Sequence, residues 1–452
     1  MAKKQLTIEE KLQAALVPVE EQPYKVPENW CFARGSHIMR KMESQKPTGE
    51  NFSYIDIDSI DNSRQIVREP KNIPVSKAPS RASRKVNAGD TLFSLVRPYL
   101  MNIAYVTDDL SSCIASTGFY VCSPKKNVND KYLYWMMVSP YVVDGLNSKM
   151  KGDNSPSIRG GDIENFIFPV APLAEQSRIV ARIESLFAKL DEAEEKIQEV
   201  LDGADLRRAA ILHQAFTGKL TEKWRRENGV SDDSWEETMF DDCIDKMQNG
   251  LSKRKGSAGE SYAVLRLANI GVADVNTDDL RYIMLDDKEI SKYELNHGDV
   301  LMIRVNGSRD NVGKQIYVNN PIKWAFCDHL IRIKYKDSVS AQFMRLLSET
   351  HSYRRYIKDN MVSSAGQNTI SRKGMQDYKV NLPSMPEQQE IVRLLDNLLS
   401  REQSTVTACE EALTTIDTLK KSILARAFRG ELGTNDPAEP SAQGLLQEIL
   451  EA

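Results

Sequence analysis

The stretch IRVNGSRDNVGK, residues 303–314, carries the densest set of groups able to hold a nucleic-acid duplex. Arg304, Asn306, Ser308, Arg309 and Lys314 surround Gly307, and a second polar loop offers Ser363, Ser364, Gly366, Gln367 and Asn368. Arginine pairs bidentately with guanine and asparagine or glutamine with adenine, while glycine lets the backbone approach a phosphate. LSKRKGS, with Lys253, Arg254 and Lys255, suits phosphate contact, because flexible cationic chains carry charge but little base information. Earlier in the chain Arg81, Arg84, Lys85, Arg97 and Tyr99, then Lys151, Asn154, Ser157 and Arg159, form a comparable set. The same residues on a hairpin that merely faces water would read identically, so both readings stand for each of them.

Catalytic chemistry has no such foothold. The chain has no G-x-x-x-x-G-K-[ST] phosphate loop, no glycine-rich cofactor fingerprint and no Asn/Asp-Pro-Pro-aromatic methylation motif. Asp191, Glu195 and Lys196 form an ion-pair pattern on a helix face. The six cysteines never pair as CxxC and the five histidines are scattered, so reduced thiols and no metal centre are expected. No apolar run reaches membrane-spanning length and MAKKQLTIEEKLQAAL lacks a signal-peptide core, which predicts a cytoplasmic protein with no membrane partner.

The elements that must position these loops come as a repeat. EQSRIV at Glu175 and AILHQAFTGKL ending at Leu220 recur as EQQEIV at Glu387 and SILARAFRGEL ending at Leu432, 212 positions on without a gap. In the first copy Ile179, Ile183, Leu186, Leu190, Ala193, Ile197, Val200, Ala204 and Ile211 follow a coiled-coil seam broken by Arg207. The second repeats the stripe from Val392 to Ile423, with Glu402 and Lys420 as polar breaks. Prolines precede both, and Gly218 and Gly430 supply left-handed caps. Each copy is predicted as one helix of roughly 60 Å. Because the chain runs out along one rod and back along the other, the rods are expected to pair antiparallel. Outward apolar residues, including Val180, Phe187, Leu201, Leu394, Leu398 and Leu424, are either a partner-docking surface or the second side of a broad seam.

The predicted organisation is an N-terminal helix at 1–23 with Leu6, Leu12, Ala15 and Leu16 on one side, a globular domain at 24–171 and a helical region at 172–220. A linker follows at 221–234, then a second globular domain at 235–383, a second helical region at 384–432 and a tail at 433–452 with a short helix. The domains are α/β (α+β): strands are predicted at Tyr54–Ile60, Thr91–Val96 and Ala263–Ile270, and helices at Lys131–Val143 and Ala341–Lys358. Trp30 and Trp235, and Gly89-Asp90 and Gly298-Asp299, occupy matching places. The charge agrees: residues 24–165 sum to +4 and 246–381 to +7, so a chain of net −4 concentrates about −15 on its helices and tails.

The order of a variable unit, a P-x-x-P-x-x-E-Q helix, GKLTEKWR, a second variable unit with its VNGS turn, a P-x-x-P-E-Q helix and SILARAFRGEL resembles the specificity subunit of type I restriction-modification enzymes over nearly the whole chain. That resemblance implies two target-recognition domains, each reading half of a bipartite duplex site, held apart by antiparallel helices. It also implies no catalysis in this subunit and no cofactor of its own. Two methyltransferase and two restriction subunits would join it, with S-adenosylmethionine, ATP and Mg2+ used on those partners. The helix before Val26 exceeds the family pattern. A non-enzymatic coiled-coil scaffold that binds proteins is the competing reading, opposed by the basic bias of both globular domains.

Overall fold

The computed structural model describes residues 7–271 and 275–451. It divides into two compact units, one formed by residues 1–197 and 411–452, the other by 198–410. Each unit therefore takes part of both helical repeats.

In the first unit a four-stranded sheet orders Lys71–Pro74, Asn51–Ile55, Ile114–Ser116 and Ala82–Lys85, and a three-stranded sheet orders Phe119–Cys122, Thr91–Ser94 and Ile103–Tyr105. All pairings are antiparallel except Asn51–Ile55 with Ile114–Ser116, so the domain is α+β. The strand predicted at Tyr54–Ile60 ends at Ile55. Asp56 caps a 3-10 turn by accepting from the Ser59 amide at 3.1 Å, which removes that segment from the ladder. The predicted helix at Lys131–Val143 divides into Asp130–Val138 and Pro140–Asn147, because Pro140 has no amide to continue the first and Ser139 starts the second.

The second unit repeats the pattern with other residues. Ile244–Asn249, Leu330–Tyr335, Val300–Ile303 and Gln315–Tyr317 form one sheet; Arg281–Leu285, Glu260–Leu265 and Trp324–Phe326 form another. The strand from Glu260 stops at Leu265 and gives way to a 3-10 turn at Leu267–Asn269, as in the first unit. The predicted helix at Ala341–Lys358 divides into Ala341–Leu347 and His351–Asn360, with Thr350 capping the second piece.

The helical repeats are longer and more regular, with one correction. The second is continuous over Met385–Ala427, whereas the first breaks at Gly203 into Leu173–Asp202 and Ala204–Phe216. Arg207 causes the break to be tolerated: its guanidinium donates to the Val200 carbonyl at 2.7 Å and to Glu402 at 2.9 Å. A Cβ on residue 203 would stand 2.6 Å from that guanidinium. Within the first unit Lys420 pairs with Asp191 and Glu194, and Glu175 with Thr434 and Asn435; within the second Arg207 pairs with Glu402, and Thr221 and Arg225 with Glu387. In each unit the numbers rise on one segment as they fall on the other, so the segments run antiparallel.

The E-Q motif joins helix to globular domain. Glu175, Gln176, Glu387 and Gln388 are all fully buried. Gln176 accepts from the Asn129 amide at 2.9 Å and donates to Ala171, while Gln388 accepts from Ser340 at 2.7 Å and donates to Ser338 and Pro383. Each glutamine thereby ties the helix start to the N-cap of a helix in the adjoining globular domain. Trp30 donates its indole N–H to Glu175 at 2.7 Å. Ile179, Ile183, Leu424, Ala427 and Phe428 enter the first core, and Leu212, Ala215, Ile391, Leu395 and Leu399 the second.

The N-terminal helix, Ile8–Ala15, packs with the C-terminal helix, Ala442–Glu451, so that Leu12, Leu16, Leu445 and Leu450 all cover the first core. That closure is the place of the extra N-terminal residues; Leu6 lies outside the described residues.

Candidate nucleic-acid interface

In the second unit the chain leaves strand Val300–Ile303 and pairs again at once, Val305 with Thr369 and Asn306 with Asn368. Gln367–Thr369 also pairs with Val362–Ser364, closing a hairpin whose tip, Ala365-Gly366, takes positive φ at both positions. This two-residue turn geometry suits the twist of the strands. A short strand and a hairpin more than fifty residues further on are thereby fused into one three-stranded ribbon. Asn306, Ser308, Arg309, Ser363, Gly366, Gln367 and Asn368 come together on it, and Arg304 adjoins them.

Their roles differ. Asn368 is 7% exposed and fully engaged: its amide donates to the carbonyls of Gly307 at 2.8 Å and Asn306 at 3.3 Å, and its oxygen accepts from Ser363 at 2.6 Å. It shapes the ribbon and cannot at the same time present its edge to a base, which corrects its sequence-based role. The Asn306 oxygen is likewise occupied, by the Ser308 amide at 2.8 Å. Gln367, Ser308 and Arg309 are exposed, with Arg309 also donating to the Lys358 carbonyl at 2.9 Å. Helix His351–Asn360 braces the loop further, since Lys358 pairs with Asp310 and Arg354 donates to the Asp310 carbonyl. That ion pair holds the Asp310 carboxyl below its ordinary range. Lys314 is exposed and donates to Asn311.

The cationic loop is only partly free. Lys253 pairs with Glu289 at 2.7 Å and Arg254 with Asp328 at 2.9 Å, so their charges are already matched, whereas Lys255 is exposed with no ion pair among the described residues. Asp328 adjoins His329, whose carbonyl accepts the Arg304 amide, which places this loop beside the ribbon. Cys327, Asp328 and His329 could present three ligand atoms within 4.8 Å, but a cation there would have to displace the Arg254 guanidinium.

The first unit builds the corresponding surface differently. Ile158 donates to Leu95 as Ile370 donates to Arg304, and Val96 and Lys151 both bridge to Ser157. Arg97 donates through its amide to Pro156 and through its guanidinium to Asn154 at 2.9 Å. Arg97, Tyr99, Lys151, Asn154 and Ser157 are thus assembled, with exposed Arg159 following. Arg81, Arg84 and Lys85 lie apart, at and along strand Ala82–Lys85, where Lys85 is paired with Glu43 at 2.6 Å. Missed by sequence reasoning were Asn62, which donates to the Leu100 carbonyl at 2.8 Å, and Asn102, buried at the base of the Arg97 turn.

Of the residues expected either to dock a partner or to form a second side of the seam, Leu424 lies on the seam side and Phe187 is half-buried. Leu424 is 3% exposed in the first core, and Phe187 packs edge-on against Trp135 with ring centroids 4.9 Å apart. Leu201 and Leu398 are half-buried. Among the described residues the α-helices leave Leu173 and Leu419 exposed in the first unit and Val200 and Leu206 in the second.

The type I restriction modification DNA specificity domain family matches residues 38–202 and 269–411, about two thirds of the chain. This chain belongs to that family. It is 29% identical over 450 residues to the type I restriction enzyme StySPI specificity subunit of Salmonella potsdam, covering 94% of this chain and 96% of that one. It is 26% identical to the EcoKI specificity subunit of Escherichia coli strain K12, with the same coverage. The solved HsdS subunit of Thermoanaerobacter tengcongensis, 26% identical, aligns over 91% of this chain and all of its own with a TM-score of 0.65. A chain from a type I R-M system solved to explain complex assembly aligns over 90% with a TM-score of 0.73. These matches favour DNA recognition over the protein-binding scaffold. No helix among the described residues is long and apolar enough to cross a membrane.

Proposed function

We propose that each unit reads one half of a bipartite duplex site in the major groove and that the subunit performs no chemistry itself. The observation that carries this reading is the pair of loop assemblies: in each unit a strand-end turn, Arg97–Met101 or Asn306–Asn311, is fastened to a polar loop drawn from 50 or more residues further on. A fastened polar surface is what base-edge recognition requires, because ordering a loose loop would subtract from binding. The first surface presents Arg97, Tyr99 and Asn154, the second Ser308, Arg309 and Gln367, so the two halves of the site should differ.

The partners are methyltransferase and restriction subunits, two of each, and they carry the S-adenosylmethionine, ATP and Mg2+ chemistry. Exposed Val200 and Leu206 in the second unit, and separately Leu419 in the first, offer the methyltransferase apolar footings on the helices. The long helices set the spacing between half-sites. Selection from a random duplex library, with this chain co-expressed with its methyltransferase at two salt concentrations, tests the reading. Two unlike motifs at one fixed gap support it; one motif would leave a single reading domain, and no enrichment would return the scaffold.

A further inference from the structure

The turn after strand Thr91–Ser94 puts apolar side chains where the second unit has polar ones. Pro98–Leu100 is one turn of 3-10 helix held between two left-handed residues, Arg97 at φ 47° and Met101 at φ 53°. Left-handed non-glycine residues cost energy and persist only where their surroundings impose them. Here Asn62 grips the Leu100 carbonyl, the 151–158 loop grips Arg97, and helix Pro140–Asn147 packs behind the turn. The result is that Tyr99 and Leu100 project, 47% and 41% exposed, from a rigid support. At the corresponding turn Gly307, Ser308 and Arg309 offer no apolar group.

Behind Leu100 lies a pocket of about 500 Å3. Ile57, Ile60, Val96 and Leu100 give it aliphatic walls. Asn102 also lines it, 8% exposed, and its side-chain amide has no hydrogen-bond partner among the described residues. Its amide opens onto the pocket and not into the packed interior, so a group entering the pocket can pair with it. The walls also include Asp58, whose carboxylate disfavours a phosphate, and Arg97, Asn62 and Ser155, which together offer donors and acceptors. Apolar faces with a mixed polar edge match the planar face and mixed edge of a nucleobase.

We propose that this pocket receives one base of the first half-site, unstacked by the Tyr99-Leu100 turn and read by Asn102. The inference rests on the chain acting as a DNA specificity subunit. Apolar side chains that enter a base step unstack it, and an extruded base is read by its exposed edge.

The test uses the full chain in complex with its methyltransferase and a duplex bearing the selected site. 2-Aminopurine replaces each purine of the first half-site in turn, pyrrolocytosine each cytosine, and permanganate probes each thymine. One position other than the methylated adenines should report unstacking, as a several-fold rise in emission or in oxidation, and should lose it with Leu100→Ala. An abasic residue at that position should bind at least as well as the intact base, and Asn102→Asp should change which base is preferred there. Leu100 is exposed, so its substitution leaves the fold intact, and it keeps the test readable should a variant at the largely buried Asn102 fail to fold. A complex that protects the site from nuclease yet shows no such position, or shows it equally with Leu100→Ala, overturns the proposal and leaves the specificity reading standing. Failure to protect any selected duplex would overturn both.

Discussion

Asn368→Ala should weaken reading of the second half-site by about tenfold or more, although its side chain is committed to the ribbon. Its side chain makes bonds of 2.6, 2.8 and 3.3 Å that fasten the hairpin to the 306–307 backbone. Each bond contributes about 0.5–1.5 kcal/mol net, so their joint loss weakens the ribbon by about 1.5–4.5 kcal/mol before relaxation. At 1.4 kcal/mol per factor of ten, the assembled loop becomes at least about tenfold less populated. Discrimination at the second half-site should fall accordingly, measured as methylation of cognate against single-mismatch duplexes, with the first half-site unchanged. Hydrogen exchange at residues 305–309 and 362–369 should quicken in parallel. Gln367→Ala is the contrast: an exposed residue with no side-chain bond should alter base preference without changing exchange. Unchanged second-half discrimination in Asn368→Ala, or equal loss in both halves, would refute the argument that the ribbon is one assembled reader.

Arg304→Ala should relax preference in the second half-site, whereas Lys255→Ala should weaken all duplexes alike and lower the salt slope by about 1, as titration at several salt concentrations would show. Phe428→Ala, at a ring 1% exposed and 5.3 Å from Tyr132, should cost the first unit about 3–5 kcal/mol in denaturant unfolding. The hydrogen bond from Arg178 holds the Glu439 carboxyl below its ordinary value. A depressed acid stabilises fully above its unfolded pKa, about 4.3, and that contribution disappears as pH falls through the lower folded value. Proteolysis of the 434–452 tail should therefore rise on acidification within that window, and Glu439→Gln should flatten the dependence. Removing seven residues from each long helix shortens it by about 10 Å, and selection should return a gap shorter by about three base pairs with both half-sites unchanged.

The helical repeats were legible because a coiled-coil stripe with proline before it and glycine after it is a local pattern, repeated once, 212 positions on. The break at Gly203 was not: it depends on Arg207 reaching back to Val200 and across to Glu402, a contact between segments 195 residues apart. The reading surface shows the same division. The loops of the proposed surface were visible as polar, glycine-bearing stretches, since such loops tolerate exposed polar groups. Their roles were not, because composition cannot tell an asparagine that aims outward from one that holds a turn. Asn368 and Gln367 are neighbours of similar chemistry, yet alternation along a strand buries one and exposes the other. Register is set by pairing with Asn306, more than sixty residues away. The same logic explains why Asn102 escaped notice beside the conspicuous Arg97: only the fold shows that its amide lies unpartnered on the pocket wall. The proposed reading thus assigns two roles to asparagine, bracing the surface at Asn368 and lining the pocket at Asn102. Exchanging loops between units without their asparagine braces should then transfer residues but not specificity.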